Sequence, residues 1–307
     1  MTNNYFGKGW LRFWPYIGMA PALLLYLLFG LGPSLATAVF SLTNITGVTG
    51  APWDWVGLQN YVDFLGPSGG SRDNYASLGR TAIFCISVTL IQNGLSLLLA
   101  ILLNSRLKGH LFFRSLFFMP TVLGVTIIGL IWTLFFYIGG PADVIFTAMG
   151  INTSFLGDNN SAFFWVIFIQ IWQNLGFSMV IFMAGLQTIS KELYEAGRID
   201  GASRWALFRY VTFPLLSSSV TINVLLAVIG SLQTYQLIYV LTSGQHNTST
   251  LAYQIFNAGF GGNISTAGYN VSATQGYAAA IAMVQFVFVL IVTLITQWYL
   301  RRRETQL

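Results

Sequence analysis

YAAAIAMVQFVFVLIVTLITQWYL fills residues 277–300 and is followed at once by Arg301, Arg302 and Arg303. A helix at the surface of a soluble protein keeps a charged face toward water, and this stretch has no charged residue with which to build one. At 1.5 Å per residue it reaches about 36 Å, enough to cross the ~30 Å hydrocarbon core of a bilayer with some tilt. Working outward, five further stretches read the same way: Pro15–Phe40, Thr81–Asn104, Ser115–Ile138, Ala162–Ile189 and Leu215–Thr242. None contains Asp, Glu, Lys, Arg or His. The whole chain has 55% hydrophobic and only 7% charged residues, against about 25% charged in soluble domains. The expected fold is therefore an all-α integral membrane protein with six transmembrane helices. Pro21, Pro33 and Pro120 lie within these stretches and should kink or locally break their helices, which membrane helices tolerate where neighbours satisfy the freed carbonyls.

The basic residues orient the spans. Lys8 and Arg12, then Arg106, Lys108 and Arg114, then Lys191, Arg198, Arg204 and Arg209, then Arg301, Arg302 and Arg303 fall on one side. Only Arg72 and Arg80 fall on the other, together with Asp54, Asp63, Asp73, Asp143 and Asp158. Positive residues stay inside, so both termini are cytoplasmic. Residues 1–14 form a cytoplasmic N-terminal segment, and 15–307 form the six-helix transmembrane domain with one long cytoplasmic loop at 190–214. Lys8, Arg12 and Ala36-Thr37-Ala38 imitate a cleavable signal, but the apolar stretch exceeds the 7–15 residues such a signal uses. The outer segments 41–80, 139–161 and 243–276 are rich in Gly, Asn, Ser and Thr, which suits turns and irregular structure. Asn44, Asn263 and Asn270 begin glycosylation-like triplets of a kind common by chance in such loops. Trp53 and Trp55 suit the outer interface, as Trp10, Trp14, Trp298 and Tyr299 suit the inner one.

Chemistry is thin. Cys85 is the one cysteine, and His110 and His246 lie far apart, so neither a disulfide nor a metal cluster is expected. No Gly-x-x-x-x-Gly-Lys-Ser/Thr loop is present, so the chain should not hydrolyse ATP. No catalytic grouping of Ser, His and Asp and no paired intramembrane acid is found, so an enzyme is not expected. Polar residues do collect within two spans: Gln170, Trp172, Gln173, Asn174 and Phe177 in the fourth, and Ser231, Gln233, Thr234 and Tyr235 in the fifth. Amides and aromatic faces suit sugar hydroxyls and rings. Such residues also bond helix to helix at about 0.6 kcal/mol each, the use expected for Gln92, Asn93 and Gln285. Spans without carboxylates suit a neutral solute and exclude ordinary proton coupling.

The loop Ser190–Pro214 reads SKELYEAGRIDGASRWALFRYVTFP. Ser190 is expected to cap one short helix, with Glu192 in its first turn. Gly201 permits a sharp turn, Ser203 caps a second short helix, and Pro214 is expected to end that helix. The product is either a rigid knob that docks a partner or a solvated hairpin joining two spans.

This loop resembles the EAA signature of permeases from binding-protein-dependent ABC importers. Glu195-Ala196-Gly197, Asp200-Gly201-Ala202-Ser203 and the run up to Pro214 carry the likeness, with Gly197 where the family usually has a second Ala. An exposed glycine there would loosen the helix by about 1 kcal/mol. GLQNY at 57–61, LAILLN at 99–104, FRSLFFMP at 113–120, and Thr242, Ser243, Gly244, Thr250 and Phe260 resemble the sugar-type branch, which includes maltose and glycerol-3-phosphate permeases. That branch usually continues Gly-Gly-Pro where this chain has Gly244-Gln245-His246.

The resemblance implies a type I importer fold in which the loop docks on an ATPase through Glu195, Ala196, Asp200 and Gly201. It also implies a second homologous permease, two ABC ATPase subunits that hold ATP and Mg, an extracytoplasmic solute-binding protein, and a location in the cytoplasmic membrane of a bacterium or archaeon. The cargo it implies is a sugar or related polyol. No cofactor is implied for this chain. The rival reading is a stand-alone secondary transporter or channel for a small neutral solute.

Overall fold

A computed structural model describes residues 14–47, 50–66, 71–104, 109–151, 153–260, 264–266, 269–271 and 274–304. Lys8, Trp10, Arg12, Arg106, Lys108 and Asn263, on which parts of the orientation, belt and acceptor readings rest, lie outside the described residues. Among the described residues the regular structure is helical apart from one antiparallel pair of short strands, Ile264–Thr266 and Tyr269–Val271, and an isolated bridge between Thr43 and Trp55.

Among the described residues, four helices are long and apolar enough to span a membrane on their own, and two bent pairs, each taken as one span, bring the number to six. Span one runs from Trp14 to Phe40 and passes Pro21 without a break. At Leu27–Leu31 it widens to a π-helix, two residues before Pro33, whose ring cannot donate an N–H to an ordinary α-turn. None of its most apolar window is buried by the rest of the chain. Its outer end alone is tied down. Asn60 Nδ2 donates to the carbonyls of Ser41 at 2.9 Å and Thr43 at 2.8 Å, and Gly276 N donates to Ile45 at 2.9 Å.

Span two is the helix Ser71–Asn104, which begins ten residues before Thr81 and so projects beyond the bilayer on the outer side. There Asn74 Nδ2 donates to the Phe64 carbonyl, Arg80 Nη1 to Ser249 and Thr81 Oγ1 accepts from Leu251 N. The outer segments are thus more ordered than their composition suggests. They carry the helices Gln59–Leu65, Pro141–Ala148 and Leu251–Phe260, and Phe64, Leu251, Ala258, Ala278 and Ile281 form a small core of their own.

Span three is the pair His110–Val122 and Val125–Phe135, bent by 103° where Leu123 and Gly124 take extended backbone. The bend lies three residues past Pro120. Span four, Ala162–Thr188, is the most buried of the four unbroken spans. Span five departs most from expectation: Ser217–Gln233 ends at an extended Thr234, and a second helix, Gln236–Thr242, follows. Span six is Gln275–Glu304.

Spans two to five share one interior. On the outer side Phe84, Val88, Ile128, Phe136, Phe155, Ile169, Leu237 and Ile238 pack together; on the cytoplasmic side Ala100, Met179, Phe182, Leu186 and Leu216 do so. Helices approach closely where a side chain is missing. A Cβ on Gly176 would lie 2.2 Å from the Phe117 carbonyl oxygen, so span three crosses span four on bare backbone. Gln92 Nε2 donates to Ser178 Oγ at 2.8 Å and Asn223 Nδ2 to the Ser178 carbonyl at 3.2 Å, joining three spans through buried amides.

Candidate functional site

Two regions carry the residues singled out from sequence: the cytoplasmic hairpin, and the middle of spans four and five.

The hairpin begins where Ile189 and Ser190 turn extended after span four. The helix Lys191–Ile199 follows, with Glu192 in its first turn and Arg198 in its last, both favourable to its dipole. Ser190 stands at the N-cap, but its hydroxyl makes no capping bond, so the expected cap is a position without the interaction. The other end is fully built. Asp200 N donates to Ala196, Gly201 N to Arg198 at 3.1 Å and Ala202 N to Gly197 at 2.9 Å, with Gly201 at φ +78°. These are the paired bonds of a Schellman motif, which requires a left-handed residue. No atom lies within 4 Å of a Cβ placed on Gly201, so backbone shape rather than space demands glycine there.

Ser203 then caps Arg204–Leu207 by accepting from Ala206 N at 3.2 Å. The helix does not end at Pro214. It widens to a π-helix over Phe208–Thr212, which absorbs the missing proline N–H, continues as Phe213–Leu215, and bends by 68° into Ser217–Gln233.

Two contacts close the hairpin on itself. Tyr194 Oη and Thr212 Oγ1 lie 3.0 Å apart, and Leu207 covers Gly197 so tightly that a Cβ there would come within 2.6 Å of its methyl. Gly197 is therefore a packing position, not the exposed loosening site expected from sequence. Glu195, Ala196, Asp200 and Gly201 all face outward on the finished hairpin. Beside them stand three side chains that sequence reasoning passed over: Ile199 at 86%, Trp205 at 70% and Tyr210 at 76% exposure. The signal was present in Ile199, one helical turn from Glu195 on an otherwise polar face. Arg198, Arg204 and Arg209 are also exposed, with the Arg209 guanidinium 5.9 Å from the Tyr210 ring centre.

In the membrane, the structure divides the nine polar and aromatic candidates. Gln170 and Ser231 are buried inside this chain, and Ser231 Oγ donates back to the Val228 carbonyl at 3.0 Å. Trp172, Gln173, Asn174, Thr234 and Tyr235 are half-buried; Phe177 and Gln233 are exposed. Asn174 Nδ2 donates to the Gln170 carbonyl and Thr234 Oγ1 to that of Gly230, both within their own helices. The Gln173 carbonyl accepts from Thr121 Oγ1 of span three at 2.9 Å. The two clusters meet at one core, because Trp172 and Tyr235 pack against the same buried group of Ile169, Ile171, Leu237 and Ile238. Trp172 meets Trp132 edge-on at 5.3 Å, and Tyr235 stacks on Phe256 at 4.9 Å. The break at Thr234 and Tyr235 thus lies level with the polar stretch of span four. No His/Cys/Asp/Glu group suited to a metal occurs among the described residues.

Residues 92–305 match the family model described as "Binding-protein-dependent transport system inner membrane component". The chain is 32% identical to the multiple sugar-binding transport system permease protein MsmF of Streptococcus mutans, covering 92% of this chain and 94% of that one. It is 30% identical to the trehalose/maltose transport system permease protein MalF of Thermococcus litoralis, covering 91% of each. A solved bacterial alginate ABC transporter, in complex with an alginate pentasaccharide-bound periplasmic protein, contains a chain that superimposes with a TM-score of 0.79 at 18% identity, covering 95% of this chain and 96% of that one.

Proposed function

The chain belongs to the family of binding-protein-dependent transport system inner membrane components, a multi-pass permease of the ABC importer type, and from that premise we propose that it forms half of a path for a sugar or related polyol. The stand-alone carrier or channel is set aside, since relatives matching over nine-tenths of the chain are named as permease components of transport systems. The path is completed by a second homologous permease, and solute arrives from an extracytoplasmic binding protein. ATP and Mg are bound and used by two separate ATPase subunits. The sugar class rests on the relatives' names and on amide and aromatic residues near the span-five break, where no carboxylate would impose a charge requirement.

The observation that carries the coupling role is the hairpin. It is cross-tied at Tyr194–Thr212 and Gly197–Leu207, shaped by Gly201, and presents Ile199, Trp205 and Tyr210 around Glu195 and Asp200. Exposed aromatic and aliphatic side chains among charges suit a protein groove better than water. Closure of an ATPase dimer would draw this rigid element with it, and the bent span five, continuous with the hairpin, would carry the displacement to the break at Thr234. The population shift equals the difference in docking affinity between the two states.

The test is Gly201→Asp in the reconstituted importer, with uptake of labelled maltose, trehalose and raffinose measured beside ATP hydrolysis. Intact assembly with joint loss of uptake and solute-stimulated hydrolysis is the expected result. Unchanged transport, or transport by the chain without any ATPase, overturns the proposal.

A further inference from the structure

A helix that stops inside a bilayer strands its last carbonyls, and each must find a donor other than water. Span five stops at Gln233. The carbonyl of Leu232, a residue only 1% exposed, would ordinarily receive the N–H of residue 236, which instead opens the next helix. Its donor comes from another span: Gln285 Nε2 lies 2.8 Å away. Gln285 is itself 8% exposed, and its Oε1 has no hydrogen-bond partner. Leaving the acceptor of a buried amide unused is costly, and the one bond this amide makes goes to the stranded carbonyl. Ordinary helix-to-helix bonding does not account for the choice of acceptor, because the intact helix would have offered no free carbonyl at that place. The neighbouring contacts are apolar: Leu232 packs with Cys85 and Val228 against Phe288, Val289 and Val292 of span six. Water has little access to replace the amide.

We propose that Gln285 is a positioning residue of the solute path, a latch on span six that fixes the span-five break and so sets where Gln233, Thr234 and Tyr235 stand. The proposal rests on the reading of those three as path residues. Gln285 touches no solute. It acts by holding Leu232, and the unpartnered Oε1 leaves it free to gain a second bond when the two halves of span five move relative to span six.

The experiment places a nitroxide on Gln233→Cys in a Cys85→Ala background of the assembled importer and reads its spectrum with Gln285 intact, Gln285→Met and Gln285→Glu. Methionine keeps the length and removes the donor. The mobile fraction should rise about tenfold, the equivalent of about 1.4 kcal/mol. Gln285→Glu retains an O–H donor while protonated, so its spectrum should match the parent at pH 5 and loosen as the acid ionises. A Gln285→Met spectrum equal to the parent's, or a Gln285→Glu spectrum as loose at pH 5 as that of Gln285→Met, overturns the latch. Should Gln285→Met not assemble, Gln285→Glu decides, and a spectrum already looser than the parent's at pH 5, where the acid is protonated, counts against the proposal. Collision rates with a water-soluble nickel chelate and with oxygen separate the two claims. A label reached only by oxygen faces lipid, which removes Gln233 from the path and leaves the latch standing.

Discussion

Replacing Gly201 by alanine isolates backbone shape from contact, because, its chain neighbours aside, nothing among the described residues lies within 4 Å of the new methyl. At φ +78° a residue with a Cβ is disfavoured by about 1–2 kcal/mol. Alanine also stiffens the opened hairpin, which offsets about 0.4–1 kcal/mol. The net loss is about 1 kcal/mol, a fivefold rise in the opened population. Hydrogen exchange reads this directly at Ala202, whose N–H bonds the Gly197 carbonyl at 2.9 Å and is freed only when the turn opens. After correction for the neighbouring side chain, exchange at Ala202 should quicken about fivefold in Gly201→Ala and much less in Gly201→Asn, since asparagine tolerates the left-handed region. Protection unchanged in Gly201→Ala, or lost equally in both variants, would refute the argument. The same logic interprets Gly201→Asp. Aspartate also tolerates that region, so lost coupling with retained Ala202 protection would locate the fault at the docked surface and not in the bend.

Gly176→Ala forces a methyl onto the Phe117 carbonyl and should cost about 3 kcal/mol or prevent assembly, seen as lost yield or a lowered melting temperature. Gly94→Ala, with no atom within 4 Å, should instead stabilise by about 0.5–1 kcal/mol. A double-mutant cycle of Gln92→Leu and Ser178→Ala, followed by unfolding in mild detergent, should give a coupling near 0.6 kcal/mol, with no coupling counting against the buried pair. Burial, and then the neighbouring Tyr239, raise the Tyr253 phenol above its ordinary value near 10. Its neutral Oη donates to the Ser243 carbonyl, so its contribution is complete below pH 10 and lost as the pH climbs to the folded value. Melting curves should show that alkaline loss in the parent and not in Tyr253→Phe.

Charge exclusion made all six spans legible, since an ionised side chain at mid-bilayer is costly. It marks the membrane edge, however, and not the helix end: the charge-free run begins at Thr81, whereas the helix starts at Ser71. Pro33 gave a true signal for the π-stretch before it, while Pro21 and Pro214 were accommodated within helices. The break at Thr234 and Tyr235 left no mark in the local sequence, because a carbonyl acceptor in span five and an amide in span six define it from outside. In the hairpin, Gly201 and Ser203 could be read from local rules of turn and cap. Leu207 over Gly197 could not, since packing partners are invisible to spacing. Ser178 and Asn223 escaped notice for the same reason: a lone serine or asparagine in an apolar run says nothing of the amide that meets it.

The uncovered first span bears on how the chain is made. It leaves the ribosome before the other five spans, yet the helix that borders it, Gln275–Glu304, leaves after them. Throughout the synthesis of the four spans between, its apolar length is left uncovered by this chain, and its outer end is held through Asn60 but still lacks the bond from Gly276 N to Ile45. A ribosome stalled before residue 275 should therefore leave this helix held only at its outer end, its apolar length within reach of a membrane protease, while spans two to five have already closed on one another.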